Sequence, residues 1–284
     1  MITVKGLDFT YQKSNKQAIK EIDFDIKQGE IFGFLGPSGA GKTTTQRLII
    51  GLLRGYEGKV EVLGKERRLW GKEIYENIGV AFDFPNLYIK LTGEENLKLI
   101  RSYYKNKADN IHQLLDKVGL LSDKDKKVEG YSKGMKMRLN FIRAIMHEPE
   151  LMFFDEPTSG LDPVNAKIIK DMIVNLKASG KTIFLTTHNM TVAEQLCDRV
   201  AFIVDGKISV IDEPKSLMLK HGKRDLKLEY LEEGKLVESH FDLQNIGQNN
   251  NFFEILKHKQ IKTIHSQEAT LEDVFIKLTG RELL

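Results

Sequence analysis

Ile31-Phe32-Gly33-Phe34-Leu35-Gly36-Pro37-Ser38-Gly39-Ala40-Gly41-Lys42-Thr43-Thr44 is the stretch from which the fold is read. Ile31 to Leu35 is a short apolar run of the kind that forms a strand buried on both faces. The segment after it matches Gly-x4-Gly-Lys-[Ser/Thr] from Gly36 to Thr43, a phosphate loop. Such a loop wraps a polyanion with backbone N–H groups, and glycines at 36, 39 and 41 remove side chains that would obstruct the approach. A helical pattern follows, with Leu48, Ile49, Leu52 and Leu53, and is expected to stop near Gly55. The positive end of that helix points at the phosphates. Lys42 adds a point charge for the β- and γ-phosphates, and Thr43 offers its hydroxyl to Mg²⁺. Pro37, Ser38, Ala40 and Thr44 complete the expected nucleotide-binding segment.

Far downstream, Leu151-Met152-Phe153-Phe154 reads as a second buried strand and ends in Asp155-Glu156. A carboxylate at the end of a buried strand beside a phosphate loop is the expected second Mg²⁺ anchor, here Asp155. The adjacent Glu156 can polarise an attacking water. Outward from these segments, strands are expected at Ile2 to Tyr11, Ile22 to Ile26, Val60 to Leu63, Ile78 to Phe82 and Ile183 to Leu185. A helix is expected from about Val164 to Ala178, closed by Gly180. Thr92 and Glu95 make a capping box ahead of Leu97, Ile100, Tyr103 and Tyr104. Ile111, Leu114, Leu115 and Val118 give another amphipathic helix, and residues of about 86 to 148 read as a helical insertion. Strands alternating with helices indicate an α/β fold with a mainly parallel sheet covered on both faces.

The texture changes at Pro214. Leu226, Leu228 and Tyr230 alternate with charges, Glu232-Glu233-Gly234 offers a turn, and Val237, Ser239 and Phe241 share a side of the next run, a hairpin pattern. Gln248 to Asn251 reads as a polar loop. Phe252 to Leu256 and Leu271 to Leu278 read as helices flanking an extended Ile261 to Ile264. The expected division is residues 1–214 and a small α+β domain of residues 215–284, in which no catalytic constellation is visible.

The 284 residues are 41% apolar and 29% charged, which excludes a disordered or collagen-like chain. A formal charge of +3 is too even to argue for nucleic acid as a partner. The single cysteine, Cys197, fits a reducing compartment and a packing role. The start lacks the pattern of a signal peptide, and no apolar run approaches the roughly 18 residues of a spanning helix. The chain is therefore expected not to cross a membrane by itself.

Three further segments carry a family resemblance. They are Tyr131-Ser132-Lys133-Gly134-Met135, then Asp155-Glu156-Pro157-Thr158-Ser159-Gly160-Leu161-Asp162-Pro163, then His188 in Leu185-Thr186-Thr187-His188-Asn189-Met190. With the phosphate loop, their order resembles the nucleotide-binding subunit of an ABC transporter over roughly residues 1 to 215. Ala269 to Phe275 and Leu278 to Leu283 resemble the tails of ATPase subunits from bacterial multidrug and bacteriocin-type exporters. The resemblance implies a P-loop NTPase with an antiparallel β subdomain beside the mainly parallel sheet, an inserted helical subdomain, and ATP and Mg²⁺ as cofactors.

It also implies roles. Tyr11 would stack on adenine, with Phe9 as the alternative. Ser132 and Gly134 would contact the γ-phosphate held by an opposite subunit. Glu156 would be the catalytic base, Lys42 and His188 would act on the γ-phosphate, and Asp162 would couple two sites across a dimer. Two positions depart from the family pattern. The signature normally reads Leu-Ser-Gly-Gly-Gln, whereas Lys133 and Met135 stand here. Asp83 stands where glutamine is usual; it would reach Mg²⁺ directly or through a water, or else only cap the loop into the insertion.

The expected partners are a second nucleotide-binding subunit, in a homodimer, and a separate membrane permease pressed by the Asp83 loop and Asn86 to Tyr104. No nucleic acid is expected. The implied activity is ATP hydrolysis that drives transport, with export favoured by the tail. The implied location is the cytoplasmic face of the membrane, peripheral through the permease. The alternatives are a soluble ATPase of the same superfamily, a phosphate-loop kinase or GTPase that would leave the signature and His188 unexplained, and an inactive regulatory subunit, against which Glu156 and His188 argue.

Overall fold

Residues 1–12, 14–105, 110–222 and 224–281 are described by the computed structural model. Alternation in β1 (Ile2–Thr10) turns Ile2, Val4, Leu7 and Phe9 inward, and β2 (Gln17–Ile26) pairs with it antiparallel. The chain then enters the core as β3 (Ile31–Leu35), every residue of it buried, and leaves through the phosphate loop into α1 (Lys42–Ile50). β4 (Glu57–Val62) and the short β5 (Lys65–Glu66) return to the first pair and complete an antiparallel sheet of order β2-β1-β4-β5.

β6 (Ile78–Ala81) precedes the helical insertion, which holds α2 (Gly93–Arg101), α3 (Ile111–Lys117) and α4 (Lys133–Ile145). β7 (Leu151–Asp155), α5 (Pro163–Ala178), β8 (Thr182–Thr187), α6 (Met190–Leu196), β9 (Arg199–Val204) and β10 (Lys207–Asp212) follow. The second sheet has the order β10-β9-β3-β8-β7-β6, parallel except for β10. β3, β7 and β8 are buried along their whole length, as neighbouring parallel strands covered on both faces require. The mainly parallel α/β architecture and the separate antiparallel sheet are thus both present.

The two sheets meet through aromatic packing. Phe24 of β2 stacks on Phe32 at 5.7 Å between ring centroids and tilts against Phe34 at 5.5 Å, and Phe184 of β8 completes the cluster. Each such ring contributes roughly 1.5–3 kcal/mol by burial. The carboxyl ends of β3, β7 and β8 are thereby held in one plane, and the loops that leave them are brought side by side.

One helix is shorter than its apolar pattern suggests. α1 ends at Ile50, because Gly51 takes a left-handed φ of 85° and its N–H closes on Arg47 and Leu48. A side chain at 51 would collide with the Arg67 guanidinium, which donates to the Ile50 carbonyl, so only glycine fits at this stop. Leu52, which the sequence pattern put inside the helix, is 54% exposed.

The described chain divides into two compact units, one running from Met1 to Glu213 and the other beginning at Pro214. In the second, β11 (Arg224–Glu232) is the centre of a three-stranded antiparallel sheet between β12 (Lys235–Asp242) and β13 (Gln260–Glu268), preceded by α7 (Pro214–His221). Glu233 and Gly234, both at positive φ, make the two-residue hairpin turn. Leu226, Leu228, Tyr230, Phe241 and Phe252 form its core with Ile255 of α8 (Asn250–His258). α9 (Leu271–Thr279) packs on α7 through a face that includes Leu271, Val274 and Phe275. The stretch Gln248 to Asn251 is not an open loop. Gln248 ends a 3-10 turn, and Asn249 accepts from Phe252 N to start α8. Glu282 and Leu283 of the tail resemblance lie outside the described residues.

Candidate functional site

The loop Gly36–Gly41 takes its shape from its surroundings. A Cβ at Gly36 would strike the Ile203 carbonyl of β9, and Gly41, the N-cap of α1, has φ 114°. Lys42 is 9% exposed and donates to the carbonyls of Gly36 at 2.5 Å and Pro37 at 3.1 Å. Its ammonium is held across the loop it belongs to. Burial pulls its pKa down, and the charges of Glu156 and Asp155 push it back up.

At the end of β7, Asp155 is buried and its two oxygens accept from two elements. Oδ2 takes the Thr43 hydroxyl at 3.1 Å, and Oδ1 takes the Thr186 hydroxyl. Burial raises the Asp155 pKa, the two hydroxyl bonds lower it, and the nearby negative charges of Glu156 and Asp83 raise it further. Glu156 follows in a left-handed conformation, φ 49°, which a non-glycine residue adopts at a cost of order 1–2 kcal/mol. Its carboxylate accepts from the Thr187 hydroxyl at 2.8 Å and the His188 N–H at 2.8 Å, with His188 Nδ1 at 2.6 Å. A carboxylate only accepts, so Nδ1 carries the proton and Nε2 is left for another partner.

A cavity of about 330 Å³ is lined by Ser38, Gly39, Gly41, Lys42, Thr43 and Thr44 together with Asp83, Asp155, Glu156, Ser159 and His188. Gly36 and Pro37 stand behind it as acceptors for Lys42, and Ala40 is buried. Tyr11 reaches the same loop, its hydroxyl 3.0 Å from Thr44 Oγ1, its ring edge-on to Phe9 and 38% exposed. Phe9 is buried, so of the two aromatics Tyr11 has the accessible face.

Ser132, Gly134 and Asp162 do not line this cavity. Ser132 caps α4 by accepting from Met135 N at 3.2 Å, and Asp162 caps α5 by accepting from Val164 N and Asn165 N at 3.1 Å each. Hydrogen bonds from Asn165 lower the Asp162 pKa. The two caps are neighbours: a Cβ at Gly134 would sit 3.4 Å from Leu161, and the Lys133 stem lies over Gly160. The first turn of α4 carries no acid.

Residues that motif reading did not single out hold the others in place. Thr186 and Thr187 end β8 and orient the two carboxylates. Two successive hydroxyls following the apolar Ile183-Phe184-Leu185 are the signal that could have marked them. Asn140, buried on α4, donates to the Phe82 carbonyl at 2.8 Å, and Arg143 donates to Asn86 O at 2.6 Å, so the loop bearing Asp83 is gripped on both sides.

Among the described residues no group of three or more His, Cys, Asp or Glu side chains forms a metal cage. Magnesium does not need one, since it takes one or two protein oxygens and draws the rest from phosphate and water. The Thr43 hydroxyl and the Asp155 carboxylate are hard oxygen donors in contact with each other. Three carboxylates line one cavity, and burial first, with the charges of Glu156 and Asp83 behind it, raises the Asp155 pKa, which suits a site that receives a cation. No helix among the described residues is long and apolar enough to cross a membrane.

Comparison with known proteins agrees with this geometry. A family model described as ABC transporter matches residues 19–159, and one described as fluoroquinolone efflux ABC transporter C-terminal domain matches residues 224–268. A fluoroquinolones export ATP-binding protein of Mycobacterium tuberculosis is 50% identical over 284 residues, covering 100% of this chain and 94% of that protein. The bacitracin transport ATP-binding protein BcrA of Bacillus licheniformis is 35% identical over 301 residues, covering 98% and 97%. Among solved structures, the dimeric post-hydrolysis state of the ATP-binding cassette MJ0796 bound to ADP and Pi is similar with a TM-score of 0.70. Its identity is 26%, covering 75% of this chain and 98% of that one.

Proposed function

The chain belongs to the ATP-binding subunits of ABC transporters, the ATPases that drive export, and on that premise we propose that two copies of it close around two ATP molecules, each site shared between them. One observation carries this reading. The phosphate loop, Asp155, Glu156 and His188 line one cavity, while Ser132, Gly134 and Asp162 stand outside it, exposed or half-exposed. One chain thus offers half of each of two sites, and the similar cassette of known structure is a dimer.

In the proposed site, adenine stacks on Tyr11, a flat apolar ring at the edge of the phosphate loop. The N–H groups from Gly36 to Thr44 cradle the phosphates, and Lys42 turns from its loop carbonyls toward the β- and γ-oxygens. Thr43 and Asp155 would hold Mg²⁺, with Asp83 near enough to act on its hydration shell. When bound, the ion supplies charge neutralisation of the phosphates. Glu156 accepts a proton from the attacking water, and its left-handed backbone turns the carboxylate toward the cavity. His188, anchored through Nδ1, presents Nε2 to the γ-phosphate. Ser132 and the N-terminus of α4 meet the γ-phosphate from the partner copy. Loss of that phosphate removes contacts to both copies and lets them part, a two-state element biased by its ligand.

The cargo passes through a separate permease, and the subunit is held by it at the cytoplasmic face of the membrane. The cargo class is that of fluoroquinolone-like aromatic drugs, supported by 50% identity over the whole chain to a protein named for their export and by the match to the corresponding C-terminal domain. The test is Glu156→Gln. With ATP and Mg²⁺ it is expected to run as a dimer in size exclusion with light scattering and to hydrolyse nothing. A variant that stays monomeric at saturating ATP would remove the shared-site reading.

A further inference from the structure

A second cavity, of about 530 Å³, opens between the C-terminal end of α1 and the segment that follows β5. Its volume is in the range of small-molecule sites. Arg54, Arg67, Arg68 and Lys72 line it, and among the described residues no carboxylate does. Three aromatic rings, Tyr56, Trp70 and Tyr75, supply the rest of its character.

The cations are placed for different tasks. Arg67 is 7% exposed; its terminal nitrogens donate to the carbonyls of Ile50 at 2.5 Å and Trp70 at 3.4 Å, and its Nε is buried with no hydrogen-bond partner. The partners of this buried guanidinium are neutral carbonyls, and among the described residues none is a carboxylate. Arg68 lies 4.1 Å over the Tyr56 ring and donates to Tyr56 O at 2.6 Å, which fixes it at the wall. Arg54 and Lys72 are exposed and have neither hydrogen bond nor ion pair among the described residues. Two acids lie close in sequence: Glu66 accepts from the Tyr56 hydroxyl at 3.0 Å through Oε1 while its Oε2 is buried with no hydrogen-bond partner, and Glu73 accepts from Gly71 N at 2.9 Å with Lys65 at 3.6 Å. The cavity wall itself, four cations with no carboxylate among its described lining residues, sets positive charge beside aromatic rings, the combination that suits an oxyanion carried on a planar ring.

We propose that this cavity is a binding site for a small organic anion built on a planar aromatic ring, with Arg54 and Lys72 closing on its carboxylate or phosphate and Trp70 and Tyr75 against the ring. The proposal rests on none of the ATP-site assignments. Two sources offer this chemistry, a nucleoside monophosphate and an aromatic carboxylate drug, and the probes are AMP and ciprofloxacin.

Trp70 is the single tryptophan of the chain, so its emission reports on this cavity alone. Both probes are titrated into the Lys42→Ala protein, in which the phosphate loop is crippled, with tryptophan emission and calorimetry as readouts. At least one probe is expected to bind saturably with a dissociation constant below about 1 mM. Arg54→Ala/Lys72→Ala in the same background is expected to weaken that binding by about tenfold or more. In the otherwise wild-type chain the same pair of changes is expected to leave basal ATP hydrolysis unchanged, which also verifies the fold. Binding of AMP alone assigns a nucleotide, and binding of ciprofloxacin alone assigns a drug-like carboxylate. Absence of signal from both probes to about 1 mM, or equal affinity with and without Arg54 and Lys72, overturns the proposal.

Discussion

The phosphate-loop face and the signature face differ in how completely the chain satisfies its own groups. On the first, Lys42 is tied to carbonyls of its own loop and Thr43 to Asp155, with Lys42 and Asp155 buried and Thr43 half-buried, on an apolar sheet. On the second, Ser132 and Asp162 are exposed, and their side chains bond to the first turns of their own helices. The supports differ as well. Beneath the loop lie stacked phenylalanines, whereas the helical insertion is laced by ions: Glu94 at the start of α2 binds Lys98 and His112 at 2.8 Å and Lys124 at 3.3 Å. A face finished internally can hold its ligand alone; a face finished only at its helix caps is shaped for something brought to it.

The strongest attempt to break this contrast is Glu156→Gln. Hydrolysis is expected to fall by roughly 10²–10⁴-fold while ATP still binds, measured by phosphate release and nucleotide affinity. Lys42→Ala should cut nucleotide affinity by about ten- to a hundredfold in the isolated subunit, through loss of charge-assisted bonds. Gly134→Asp should do the opposite: affinity in a single subunit stays, whereas ATP-driven pairing and turnover fall, because a carboxylate is set against the partner's phosphate. Equal damage to monomer binding would erase the distinction between the faces. Ser132→Ala should cost about 0.5–2 kcal/mol in urea unfolding through the lost cap of α4.

The smallest expected effect concerns the ionic support. Lys98, then His112 and Lys124, hold the Glu94 pKa down to about 2. A carboxylate depressed in the folded state stabilises above its unfolded value of about 4.5 and loses that contribution as pH falls toward 2. Glu94→Gln should therefore flatten the acid limb of the stability curve in that window, followed by circular dichroism, and leave stability near pH 2 little changed.

Much of this was legible in the residues. Short apolar runs at Ile31 and Leu151 read as buried strands, and the hairpin at Glu233-Gly234 was announced by alternation and turn chemistry. The early stop of α1 was missed because Leu52 and Leu53 continue the apolar pattern past Gly51, whose left-handed turn ends the helix. The Asn249 cap was hidden in a run of like polar residues. At the site, spacing pointed to the groups that face the cavity, but not to Thr186, Thr187, Asn140 and Arg143. Those act by pointing a neighbour, and no local pattern encodes a contact made across strands.

Cys197 is free and buried, with its thiol pKa pushed up by burial, and a Cβ at Gly33 would come within 2.7 Å of its sulfur. The chain is therefore silent toward maleimide dyes as it stands. A single reactive thiol introduced at Val164, 70% exposed and two residues past Asp162, would be labelled alone. Pairs of dyes there would turn closure and opening into a distance read in real time.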